Sequence, residues 1–177
     1  MNIRKKLKKY LDDNLKEERK FLNFAKMRTS QLYNECCEED EEEINMLSLP
    51  VGASGINTYI NNELNENKFQ KLLFKFIDDK GLKDSDVYNK AQIDRRLFSK
   101  IRSDENYHPS KETIISLATS LELNINELEE LLDSASYSLP KNNKFDLIIR
   151  FCFLEKIYDI MEINNLLHEY HCDLLTK

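Results

Sequence analysis

Three glycines and three prolines in 177 residues set the first limit on this chain. An all-β fold is built on many tight turns, which draw on Gly for positive φ and on Pro for a fixed φ. So few of either leaves helices as the main regular structure. The same scarcity excludes a Gly-rich phosphate-binding loop. The length suits one domain, or one domain with an appendage, and 41% hydrophobic residues supply a core.

The net charge of −6, taken as one number, argues against a nucleic-acid partner. Its distribution reverses that reading. Residues 1–30 carry 10 basic and 4 acidic side chains, and residues 31–66 carry 9 acidic ones with no Lys or Arg. Residues 67–111 carry 11 basic and 7 acidic side chains, and residues 112–177 carry 5 basic and 12 acidic. Four blocks of alternating sign point to a partner or to self-association.

No run approaches the roughly 18–20 apolar residues of a membrane span. The basic start, Met1 to Lys9, is followed by no continuous apolar segment, so neither a secretory signal nor a membrane partner is expected. Cys36-Cys37, Cys152 and Cys172 show no CxxC spacing. They read as reduced thiols of a cytoplasmic protein.

Ile3, Leu7, Tyr10, Leu11 and Leu15 recur at steps that share one helical face, with Lys and Arg around them. The expected organisation is a basic amphipathic helix over 1–30 and an acidic flexible linker over 31–66. The linker contains the run Glu35 to Glu43 and the Pro50 and Gly52 punctuation. From residue 67 the pattern becomes short, closely spaced helices. Phe69, Leu72, Leu73, Phe76 and Ile77 form a stripe that ends at Lys80-Gly81. Asp84 to Asp86 opens a second helix, and Asp94, Ser110 and Asn124 are natural N-caps for three more. Beyond Pro140, two apolar helices over about 144–157 and 159–171 form a C-terminal extension, residues 141–177.

Residues 73–132 resemble the helix-turn-helix domain of the Cro and phage-repressor (XRE) family. Leu73 to Leu82 is similar to that family's first helix and its Lys-Gly-Leu ending, and Asp86 to Asp94 to its second helix and turn. Arg95-Arg96-Leu97-Phe98-Ser99-Lys100-Ile101-Arg102 resembles its recognition helix. Pro109-Ser110 with Thr113 to Leu121 resembles the fourth helix, and Asn126-Glu127-Leu128 the closing motif. Three features depart from the family pattern, one of them a slightly long segment after the third helix that carries Asp104 and Glu105. Lys83-Asp84 stands where many members have Ser-Gln, and Arg102 where Glu is usual.

The resemblance implies an all-α, repressor-like five-helix domain over 67–140. It also implies a sequence-specific DNA-binding protein, a transcriptional regulator reading the major groove of double-stranded DNA with helix 94–103. The side chains suit that role. Leu97, Phe98 and Ile101 form an inner face. Arg95, Arg96 and Ser99 are the expected base contacts, and Lys83, Lys100, Arg102 and Lys111 the expected phosphate contacts. A homodimer through the C-terminal helices or the N-terminal helix would suit palindromic half-sites. The competing expectation is an adaptor whose helix-turn-helix scaffold binds protein and is regulated by residues 1–66. No catalytic constellation, cofactor or metal site is expected, although His168, His171 and Cys172 fall at ligand-like steps of three and one.

Overall fold

The computed structural model describes residues 3–16, 68–104 and 106–176, and their regular structure is entirely α-helical. In chain order the helices are α1 (residues 3–16), α2 (Lys68–Asp79), α3 (Asp84–Lys90) and α4 (Arg95–Ser103). They continue with α5 (Lys111–Ser120), α6 (Ile125–Ser134), α7 (Lys144–Leu154) and α8 (Ile160–Glu169). The linker expected over 31–66, its acidic run, the Cys36-Cys37 pair and the part of the expected 1–30 helix beyond residue 16 lie outside the described residues. None of the helices among the described residues is long and apolar enough to cross a membrane.

The capping chemistry starts the helices where the sequence marks them. Asp94 accepts from the Arg96 N–H at 2.7 Å, and Ser110 accepts from the Thr113 N–H at 3.3 Å. Asn124 takes the N–H groups of Asn126 and Glu127 while Glu127 reaches back to the Asn124 N–H at 2.7 Å, a complete capping box.

Six of the helix ends share one solution. After α2, α3, α5, α6, α7 and α8 the chain places one residue at positive φ: Gly81, Gln92, Glu122, Ser136, Lys156 and His171. The following N–H then returns to a carbonyl five residues back, as in Ile93 to Tyr88 at 2.9 Å and Ile157 to Cys152 at 2.8 Å. The residue carrying that N–H is apolar each time (Leu82, Ile93, Leu123, Tyr137, Ile157, Cys172), and all but the exposed Leu82 pack on the core. Only one of the six uses glycine. Left-handed backbone costs other residues about 1–2 kcal/mol, part of which glycine gives back through its freer unfolded chain. Ser136→Gly and Lys156→Gly, both at exposed positions, are each expected to stabilise the fold by about 0.5–1 kcal/mol. The measurement is the urea midpoint at unchanged slope. A lowered midpoint would mean that the side chains, not the backbone, hold these turns.

Packing joins α2 to α6, α3 to α4 and α5, α5 to α6, α6 to α7, and α7 to α8. The boundary expected at residue 140 is crossed by specific contacts. Lys111 at the start of α5 pairs with Asp146 of α7 at 2.5 Å, Arg150 pairs with Glu129, and the Tyr158 hydroxyl donates to the Leu123 carbonyl at 3.0 Å. The described residues on both sides of 140 therefore share one core, in which Ile114, Leu128, Leu131, Leu147 and Ile148 are fully buried.

The N-terminal helix belongs to the same core rather than standing as a separate element. Residues 1–15 and 67–177 form one compact unit. Leu7 is fully buried and Leu11 nearly so, with Ile3, Tyr10 and Leu15 packed at their margin. The Tyr10 and Phe151 rings lie 5.5 Å apart, Lys6 pairs with Glu155 at 2.6 Å, and Arg4 pairs with Glu169 at 3.2 Å. The apolar side of α1 thus lies on α7 and α8.

Candidate nucleic-acid interface

α4 is held from one side by aromatic contacts. Phe98 is buried, edge-on to Phe74 at 6.2 Å and tilted against Tyr88 at 5.8 Å, and Ile101 is buried beside it. With those two inward and Leu97 half-buried, helical geometry turns Arg95, Arg96, Ser99, Lys100 and Arg102 outward, and all five are exposed. The Asp94 carboxylate at the start of α4 is fixed on the Arg96 N–H as the helix cap.

The cations expected on phosphates divide into two groups. Lys83 is exposed at the start of α3 and makes no capping hydrogen bond there. Lys100 is exposed with its ammonium 4.4 Å from the centre of the Tyr107 ring. Neither of these two forms an ion pair among the described residues, and both are exposed. Arg102 is instead held by Asp84 at 2.8 Å, with its guanidinium 4.4 Å from the centre of the Phe74 ring. Lys111 is turned into the protein, onto a carboxylate that is 1% exposed. Lys111 is thus a structural partner of Asp146, with its ammonium turned away from a phosphate contact.

Three residues that shape this face were not singled out in the sequence as site residues. Gln70 of α2 donates its side-chain amide to the carbonyls of Ile101 at 3.0 Å and Arg102 at 2.5 Å, covering the open end of α4. That end lacks the left-handed closure used elsewhere, since Asp104 leaves it extended with φ −110. Asp84 and Phe74 complete the clasp around Arg102. Separations of 18 and 28 residues from Arg102 leave no local pattern by which to find either. The C-terminal tail also returns toward this region. Asn164 accepts from the Leu175 N–H at 2.9 Å, and Thr176 sits 3.4 Å from the Gln92 side chain in the turn before α4.

The His168, His171 and Cys172 spacing does not survive folding as one helical face. α8 ends at Glu169, and His171 takes φ 56 in the closing turn. Among the described residues no group of three or more His, Cys, Asp or Glu is placed to hold a metal ion. Burial pushes the Cys152 thiol up to about 12, which leaves it without thiolate near neutral pH. Burial raises the Cys172 thiol as well. Neither described cysteine has the electropositive, accessible setting of a reactive thiol. No family model, curated protein or solved structure matches the chain.

Proposed function

We propose that the chain is a sequence-specific DNA-binding protein, a transcriptional regulator of the Cro and phage-repressor type, with α3 and α4 as its helix-turn-helix. One observation carries the reading. α4 buries Phe98 and Ile101 and turns Arg95, Arg96, Ser99 and Lys100 outward together. A B-DNA major groove, about 12 Å wide, accepts one helix, and an arginine there donates two hydrogen bonds to guanine. Arg95 and Arg96 stand at the N-terminal end of α4, which such helices direct at base edges. They and Ser99 read bases, while Lys83 and Lys100 hold phosphates.

The test is binding of the full chain to a selected duplex over a salt series. Affinity is expected to fall steeply with salt. Replacing Arg95 and Arg96 together by Ala should cost about 1–3 kcal/mol per lost guanine contact while the fold stays intact by circular dichroism. Absence of duplex binding even at low salt would reject this reading. A protein-binding adaptor is the second reading, favoured by the internal pairing of Arg102 and Lys111. It predicts no duplex binding at any salt and a partner whose capture fails when Arg95 and Arg96 are replaced.

A further inference from the structure

Arg95, Ser99 and Arg102 recur at steps of four and three, so they lie on one strip of the outer face of α4. Arg102 ends that strip and is fixed there from two other helices. Asp84 of α3 accepts its guanidinium at 2.8 Å, and Phe74 of α2 lies beneath it. Both charged groups remain partly exposed, 53% for Arg102 and 38% for Asp84. The ion pair therefore sits on the surface at the edge of the cationic face. Asp86, in the same first turn of α3, shares no ion pair with Arg102.

A phosphate contact strengthens binding to every sequence alike, and each one steepens the salt dependence by a fixed increment. A carboxylate that holds a cation at the rim of the interface removes one such contact. We propose that Asp84 is a restraining residue of the DNA interface, keeping Arg102 from the phosphate backbone and so keeping sequence-independent affinity low. This rests on the DNA-binding reading above. Under it, Arg102 positions α4 against α2 and α3 rather than holding a phosphate, and discrimination is left to Arg95 and Arg96.

The experiment is fluorescence anisotropy of a labelled duplex of arbitrary sequence, titrated with the full chain from about 50 to 200 mM salt. Asp84→Asn is expected to bind about 3–10-fold tighter, with the log–log salt slope steeper by about 0.9, the increment of one phosphate. Asp86→Asn should leave the slope unchanged. Asp84→Asn combined with Arg102→Ala should return the slope to that of the parent. An unchanged slope in Asp84→Asn overturns the proposal, as does a steeper slope that persists in the double variant. Arg102→Gln gives a second test that does not require replacing Asp84. Its slope should equal the parent's, and a slope shallower by about one phosphate would overturn the proposal. If the parent binds and Asp84→Asn only matches it, the role of Asp84 falls and the DNA-binding reading stands. If neither the parent nor any variant binds, both fall together.

Discussion

Leu7→Ala is expected to lower the unfolding free energy by about 2–5 kcal/mol, although it lies near the chain end in a strongly basic segment. Leu7 has no exposed surface, and its neighbour one turn on, Leu11, is 4% exposed. Truncating a fully buried leucine removes its transfer free energy and leaves a cavity that the surroundings fill only in part. A domain of this size has about 5–15 kcal/mol in all, so the loss is a large fraction of the total. The ion pairs at the rim of α1 do not offset it. Lys6–Glu155 and Arg4–Glu169 are partly exposed to solvent, and such pairs contribute about 0–1 kcal/mol. The control is Lys5→Ala at an exposed position of the same helix, expected within about 0.5 kcal/mol of the parent. Urea denaturation of both variants checks the contrast. A solvated N-terminal arm would give equal midpoints for the two.

The position of α1 shows why some of this architecture is readable from residues and some is not. The spacing of Ile3, Leu7, Tyr10, Leu11 and Leu15 specifies an apolar stripe and hence a helix that must cover something. α7 offers the complementary signal. Asp146, Leu147, Ile148, Ile149, Phe151, Cys152 and Phe153 are all buried, so nearly the whole circumference of that helix needs covering. Each signal is local, and neither says that the two surfaces meet, because about 130 residues separate them. By contrast, the capped helices from Asp94 to Ser134 follow from local chemistry alone. Asp94, Ser110 and Asn124 each satisfy backbone donors within three residues, and α4 covers 95–103 of the expected 94–103, with Asp94 as its cap.

The helix ends are less legible for a different reason. Gly81 is the residue expected to stop a helix. Gln92, Glu122, Ser136, Lys156 and His171 adopt the same backbone without being glycine. Their shared mark is a polar residue followed by an apolar one after the last helical turn, a weaker pattern than glycine itself. In the interface, the exposed cations of α4 follow from its helical period. The neutralising partners do not, because Asp84 and Asp146 are brought to Arg102 and Lys111 by topology.

Lys111→Met is expected to destabilise the protein by about 3–5 kcal/mol and to leave any contact with DNA phosphates unchanged. The argument starts from Asp146, whose side chain is 1% exposed. One of its oxygens takes the Lys111 ammonium at 2.5 Å and the other takes the Asn143 amide at 2.5 Å. Removing the ammonium leaves a buried carboxylate with a single neutral donor, and burying a charge without its partner is among the costliest single changes in a core. Exchanging both charged groups for apolar ones removes the desolvation penalty along with the attraction. Lys111→Met with Asp146→Leu should therefore recover most of the loss, giving a large favourable coupling in a double-mutant cycle. A phosphate-binding Lys111 predicts the opposite set of results, with parent-like stability and a salt slope shallower by about 0.9. Since the pair bridges the start of α5 to the start of α7, its loss should also lower the cooperativity between the helices before residue 140 and those after it. Hydrogen exchange would show this as earlier opening of α7 and α8 than of α5 and α6. Equal protection across all four helices would mean that the apolar core alone holds the two halves together.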